Sequence, residues 1–422
     1  EGAVYFGGSG TLTNCNFTNN SASYWGAVIF SGDGTVTDCN FAENKATADY
    51  SAGGAIYFSQ QGAVSNCNFA ENKANDGNSF GGAIFMNYGT VSNCNFTDNS
   101  AENGGAVYFD WEGTVSNCNF TNNSASGNGG AVYFAEYCTG GVTNCNFINN
   151  SASGHGGALY FNEDGNVTNC NFTNNSASGD GGAVFVNRKG NVTNCNFADN
   201  SASYGGAVFF NGDGTVTDCN FTDNSVSMYG GAVFFNGGGT VSDCNFTNSA
   251  ASKYGGAVYF SSNGNVTDCN FAENKATADL SDGGAIMFAS TGTVSNCNFT
   301  DNSAENGGAV YFERNGNVTD CNFTDNSVSM YGGAIYMNSG SVTGCNFAHN
   351  SAPSCYGGAV YFSSDGTVTD CNFTHNSAHD GGAVGSTYGT GAVENCNFAN
   401  NIAYDCGRHR RKSLCFVDHK QH

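Results

Sequence analysis

Basic residues are scarce in this chain: 12 Lys and Arg face 35 Asp and Glu, a formal net charge of −23 over 422 residues. The shortage is uneven. Residues 1–404 hold 7 of the basic residues against 33 acids, whereas residues 405–422 hold 5 against 2. An acidic body repels phosphate backbones and anionic headgroups, which argues against nucleic-acid binding and lipid docking. No stretch has the length and apolarity of a membrane-crossing helix, and none resembles a secretion signal. The opening at Glu1, in mid-repeat and without Met, reads as a processed product or a fragment. Helix formers are few, and no ten-residue segment carries helical periodicity. Proline occurs once, at Pro353, among 61 glycines. That composition would suit disorder, but apolar residues return to fixed positions throughout.

What is present is a repeat. G-G-A-V-Y-F, a short turn, and G-T-V-T-N-C-N-F-T-N-N-S-A-S recur sixteen times. The cysteine falls at 15, 39, 67, 94, 118, 145, 170, 195, 219, 244, 269, 297, 321, 345, 371 and 396, a period of about 25 residues. Fixed-period similarity signals one unit stacked on copies of itself. A unit with short strands, Gly and Asn turns and no helix makes a parallel β-helix, one coil per repeat. The repeat predicts a single β-helix domain over 1–404 and a basic, non-repeat tail over 405–422.

Alternation assigns direction. In A-V-Y-F the Val and the final Phe point inward, as does the Val of T-V-T. Val36 and Cys39 differ in parity, so the chain must bend near Thr37-Asp38. Past the bend, Cys and Phe both face the core. Three internal columns follow: Cys15, Cys39, Cys67, Cys94, Cys118 and onward; Phe17, Phe41, Phe69; and Asn20, Asn44, Asn72, whose amides are placed to bond from coil to coil. The Ala of N-S-A suits a tight corner. The glycines before the second strand, Gly10, Gly34, Gly62 and Gly89, suit turns of positive φ.

Fourteen G-G-A triplets and fifteen F-x-x-N matches cover nearly the whole chain, Phe246 being followed instead by Ser249. This pairing resembles the repeat of chlamydial polymorphic outer-membrane proteins, related forms of which occur in adhesin-like surface proteins of other microbes. The resemblance implies a right-handed, single-stranded, all-β solenoid of about 16 coils, exposed on a cell surface and acting in adhesion. The chain departs from that pattern in two ways. No C-terminal membrane barrel is present, and Cys precedes the Phe by two residues in every coil.

Twenty cysteines invite a disulfide reading. Stacking at about 4.8 Å instead favours a column of reduced thiols, since a disulfide needs Cβ atoms near 3.8 Å. Thiols in a line among Val and Phe do not converge as zinc ligands. Cys138, Cys355, Cys406 and Cys415 are off register. The tail, with Cys406, His409, Cys415, His419 and His422, makes a poor zinc signature. No cofactor or metal is expected.

Function must then lie on the outside. The residue between the two inward positions of A-V-Y-F is aromatic in thirteen coils: Tyr5, Tyr57, Phe85, Tyr108, Tyr133, Tyr160, Phe185, Phe209, Phe234, Tyr259, Tyr311, Tyr336 and Tyr361. Either these rings stabilise the sheet, or they form a flat apolar face for lateral association or glycan contact. A second stripe, of Thr pairs such as Thr35/Thr37, resembles insect antifreeze proteins but is broken by Asn166, Asn191, Asn265 and Asn317. Lys45, Lys73, Arg188, Lys189, Lys253, Lys275 and Arg314 are scattered singly, without the carboxylate and cation cluster that polysaccharide cleavage needs. Near-identical coils, such as Asp38–Ala48 and Asp268–Ala278, point to internal duplication.

These features predict a non-catalytic, extracellular or cell-surface repeat protein, acting as adhesin, stalk or assembly unit. The expected partners are surface molecules or glycans of a host or neighbouring cell, or other copies joined laterally or end to end, without nucleic acid or membrane insertion. Glycan or ice binding is the alternative, and polysaccharide-active enzyme the third reading.

Overall fold

A computed structural model describes residues 2–75 and 77–404. The chain forms two compact units, Glu1–Asp213 and Gly214–His422. The described residues are all strand, turn and bend, with no helix. Each unit is a parallel β-solenoid with a turn of about 25 residues, and the two hold sixteen turns between them.

One turn of the first unit shows the plan. Val28–Phe30 and Gly34–Thr37 lie in one sheet, Asn40–Ala42 in a second and Lys45–Ala46 in a third. In some turns the first two strands run together, as in Ile56–Ser65 and Val107–Ser116 of the first unit and Val310–Thr319 of the second. Pairing is parallel and places like over like: Val4 against Val28, Gly10 against Gly34, Asn16 against Asn40 and Ala22 against Ala46. The second unit keeps this register, with Val241 on Val266 and Phe246 on Phe271. The Ala of N-S-A is thus an inward strand residue of the third sheet rather than a corner.

The corners are built elsewhere. The residue before each Cys and the residue two after each Phe adopt left-handed backbone, as in Asn14 (φ 53°), Asn19 (57°), Asp38 (56°) and Glu43 (58°). Asn and Asp tolerate that region best because their side chains hydrogen-bond locally. The bend expected at Thr37-Asp38 is therefore present. The positive φ expected of the glycines is present at Gly89 (147°), but not at Gly10, Gly34 and Gly62. Those glycines lie under the core Phe rings: a Cβ at Gly34 would meet ring carbons of Phe30 and Phe58 at 2.6 Å. Glycine there makes room for a ring. In G-G-A both roles occur side by side. Gly53 has φ 62°, while a Cβ on Gly54 would lie 2.2 Å from the Gly82 carbonyl oxygen of the next turn.

Within the solenoid, identical side chains stack. In the first unit Phe17, Phe41, Phe69, Phe96 and Phe120 succeed one another at 5.0, 5.0, 4.8 and 4.7 Å between ring centroids. The second unit repeats this from Phe221–Phe246 at 4.6 Å to Phe373–Phe398 at 4.9 Å. The strand spacing sets this interval. The Asn column is buried from Asn44 onward, and its amides bond from turn to turn. Asn44 donates from Nδ2 to Asn72 Oδ1 (3.0 Å) and to the Phe17 carbonyl (2.9 Å), and from its backbone N–H to Asn72 Oδ1 (3.1 Å). Buried amides satisfied in this way add specificity as well as enthalpy.

One rung is defective. Ser249 is buried, and its hydroxyl has no hydrogen-bond partner. Its backbone N–H still donates to Asn274 Oδ1 at 3.0 Å, but its short side chain cannot continue the column towards Asn224. Ser249→Asn is expected to stabilise the protein by about 1 kcal/mol, the net worth of a typical buried hydrogen bond. A rise in the urea midpoint at unchanged m-value would register it.

Candidate functional site

The thirteen-residue aromatic column leaves each turn on the outer side of the first strand, as alternation requires. Its rings stack on each other: Tyr108–Tyr133 at 4.9 Å, Tyr133–Tyr160 at 4.7 Å and Tyr160–Phe185 at 4.9 Å in the first unit, and Tyr311–Tyr336 at 4.4 Å in the second. Of the two arrangements open to these rings, packed or bare, most are packed. Tyr108, Phe185, Phe209, Phe234 and Tyr361 are buried, and Tyr57, Phe85, Tyr133, Tyr160, Tyr259, Tyr311 and Tyr336 are partly so; Tyr5 alone is well exposed.

The cover comes from residues just before G-G-A. Trp25 tilts over Tyr57 at 5.3 Å, Phe80 over Tyr108 at 4.9 Å and His155 over Phe185 at 4.9 Å. Tyr229 packs on Tyr259 at 5.1 Å, and Tyr331 on Tyr361 at 4.8 Å. Three of these covering residues pair with adjacent turns as isolated bridges, Trp25 with Ala52, Phe80 with Asn103 and Tyr229 with Tyr254. The column is thus a satellite core outside the main one, and solvent meets its ring edges rather than its faces.

Burial has electrostatic consequences. It raises the Tyr108, Tyr133 and Tyr311 phenols well above their ordinary range and pushes Tyr361 up to about 12. Burial likewise pushes the Cys138 thiol up to about 12. These groups ionise more readily in the unfolded chain. The stability they contribute is complete below the unfolded pKa, near 9 for the thiol and 10 for the phenols, and is lost as pH rises towards 12. A fall in the urea midpoint between pH 9 and 12, tracked by phenolate absorbance and far-ultraviolet circular dichroism, is the expected result.

The cysteine column stands as read from sequence. No disulfide joins the described cysteines, from Cys15 to Cys396. Cys67 donates to the Ser65 carbonyl at 3.0 Å, and its Sγ accepts the backbone N–H of Cys39 at 3.4 Å. Hydrogen bonds to neighbouring cysteines, Cys94 for Cys67 and both Cys145 and Cys94 for Cys118, and then burial drive these two thiols far above the usual range. Such thiols are poor nucleophiles. Among the described residues no group of His, Cys, Asp and Glu is arranged to hold a metal ion. Cys406, Cys415 and the tail lie outside the described residues.

Two exterior features escaped the sequence reading. One is a second Asn column, exposed, in which Asn40 donates to Asn16 at 2.8 Å and Asn68 to Asn40 at 2.8 Å. The other is a row of exposed rings in three successive coils: Tyr88 and Trp111 within the continuous strands Ile84–Ser92 and Val107–Ser116, and Tyr137 in the turn of the next coil. Beside it an open groove of about 370 Å³ is lined by Asp33, Gln60, Gln61, Tyr88, Glu112 and Thr114, among others. Aromatic residues where most other coils carry small or polar ones, such as Asn211-Gly212 and Ser261-Ser262, were the available signal. The Thr stripe is mixed as expected, its Asn members bonding along the column, as Asn191 does to Asn166 at 3.1 Å.

Among curated proteins and among solved structures nothing matches the chain. Two families do. The Chlamydia polymorphic membrane protein repeat matches residues 144–162 and 169–187, two stretches that each run into a G-G-A-[L/V] strand. The family described as a right-handed β-helix region matches residues 1–139 and 206–373, well over half of the sequence. With its parallel strands, in-register columns and repeated turn of about 25 residues, the chain belongs to the right-handed β-helix family and carries polymorphic membrane protein repeats.

Proposed function

We propose that the protein is a non-catalytic surface scaffold that attaches to other cells or molecules through its exterior turns. The observation that carries this reading is the sameness of the coils. The same residues fill the same positions from turn to turn, and 14 of the 35 acids have a structural post at a left-handed corner. Asp38, Glu43, Glu71, Asp98 and Asp199 occupy left-handed corners. An acid held at a corner that recurs in every turn is not aimed at a reacting bond. Repeats matching a membrane-protein family support an outward, surface-exposed location. Each added turn extends the surface without redesign of the core, which suits adhesion and spacing better than catalysis.

Attachment tests the reading. Beads coated with the purified protein are expected to bind cultured cells saturably, with competition by soluble protein. Beads that bind no better than albumin-coated controls across several cell types would contradict it. Release of unsaturated or reducing sugar from polygalacturonate or other polysaccharides would point to an enzyme instead.

A further inference from the structure

The exposed rings of the first unit have a geometry that selects a partner. Tyr88, Trp111 and Tyr137 are 40, 46 and 67 % exposed. Their centroids are 6.3 and 6.1 Å apart, with interplanar angles of 20° and 24°. Exposed aromatic rows of this kind are rare on a self-contained surface and mark interaction sites. The surroundings are anionic. Trp111 is flanked by Asp110 and Glu112, and Tyr137 follows Glu136. Tyr88 pairs in register with Glu112 on one side and Gln61 on the other, and Asp33 lies in the adjoining groove.

Among the described residues no cation pairs with Asp33, Asp110, Glu112 or Glu136. The two basic residues on the same turn in a later coil are already engaged, Arg188 by Glu163 at 2.8 Å and Lys189 by Asp213 at 4.0 Å. Rings bordered by uncompensated carboxylates attract a guanidinium or ammonium group: the ring face supplies cation–π attraction and the carboxylate a charge-assisted hydrogen bond. The spacing adds a further condition. On an extended peptide, side chains at i and i+2 share a face about 6.7 Å apart, close to the ring interval seen here.

We infer that the Tyr88–Trp111–Tyr137 row binds an extended segment of a partner protein with Arg or Lys at alternate positions. This inference rests on the surface-attachment reading and gives that reading one partner class. The row does the gripping, and the flanking carboxylates select the cation. Anionic polymers are repelled, and neutral chains gain only ring contact.

The chain has 2 tryptophans, so Trp25→Phe leaves Trp111 as the reporter. Titration of that variant with the synthetic peptide Arg-Ser-Arg-Ser-Arg-Ser is expected to change Trp111 emission saturably. Calorimetry on the otherwise native chain should show about tenfold weaker binding for Trp111→Ala, and about tenfold for Asp110→Asn with Glu112→Gln, the usual scale for a central contact. Asp301→Asn with Asp325→Asn removes the same charge from the second unit and should leave the affinity unchanged. Three results would overturn the inference. One is equal affinity in all these variants, meaning diffuse attraction to an acidic protein. Another is no peptide binding at low salt. The last is a Trp111 response to cellohexaose in place of the peptide. Cell attachment of native beads persisting through any of these would leave the broader reading standing.

Discussion

Phe120→Ala is expected to cost about 3–5 kcal/mol, the range for removing a large buried aromatic side chain. The ring is fully buried and stacked at 4.7 Å on Phe96 and at 4.8 Å on Phe147. Its removal opens a ring-sized cavity in the middle of a column and takes a stacking partner from both neighbours. The loss cannot be relaxed by sliding, because the parallel register on either side pins Asn119 and Thr121. Position in the column is the internal control. Phe17 touches a ring in the described structure on one side, at Phe41, and is 8 % exposed. Phe17→Ala should therefore cost measurably less. The outward neighbour Thr121→Ala should stay within about 0.5 kcal/mol. Urea unfolding of the three variants decides. Equal losses at Phe17 and Phe120 would mean that stacking along the column does not set the stability.

Asn123→Ala should cost about 2–5 kcal/mol, from polar groups left unpaired rather than from a void. Asn123 Oδ1 accepts the backbone N–H of Asn99 at 3.1 Å and its Nδ2 at 3.0 Å. Its own Nδ2 donates to the Phe96 carbonyl at 3.1 Å and to Asn150 Oδ1 at 3.0 Å. Truncation orphans the Asn99 N–H and strips a donor from the Phe96 carbonyl, both far from water. Asn123→Asp tests the chemistry at nearly constant shape. The carboxylate keeps the acceptor, loses both donors and carries a buried charge, so it should destabilise at neutral pH at least as much as Ala. It should recover in part on acidification, when the protonated acid regains one donor. An Asp variant as stable as the native chain at pH 7 would show that water reaches the column.

Much of this architecture was readable in the sequence, and the reason is physical. A solenoid places residue n over residue n + 25 or so, so a column in space is a period along the chain. Cys39, Phe41 and Asn44 announce their neighbours Cys67, Phe69 and Asn72 without any knowledge of the turns. The second Asn column, through Asn16 and Asn40, had the same period; its outward direction gave no reason to expect amides bonded in the open. Glycine was read rightly at Gly89 and misread at Gly10, Gly34 and Gly62, because two demands, backbone conformation and space under a ring, select the same residue. The sequence cannot tell which holds at Gly34, whereas the position of Phe30 can.

The aromatic stripe lies on the outer side as alternation places it, and the sequence left open whether its rings are packed or bare. Its cover comes from Trp25, Phe80, Tyr229 and Tyr331, which sit in the segment before G-G-A where coil length varies. Periodicity fixes direction within strands, but it says nothing about how a turn of variable length folds back. The same limit hid Tyr88, Trp111 and Tyr137. They lie in the stretch between A-V-Y-F and T-V-T, whose length differs from coil to coil, and only folding shows that the three positions form one row.

The account depends throughout on like residues lying over like at the strand spacing. Carbonyl-¹³C-cysteine labelling tests this directly, because sixteen of the 20 cysteines belong to the repeat. In a frozen solution, ¹³C–¹³C dipolar recoupling should report a dominant nearest-neighbour distance of about 4.8 Å, the separation of paired parallel strands. A decay that requires nearest labels beyond about 7 Å, more than the strand spacing can give, would contradict the stacked, in-register solenoid.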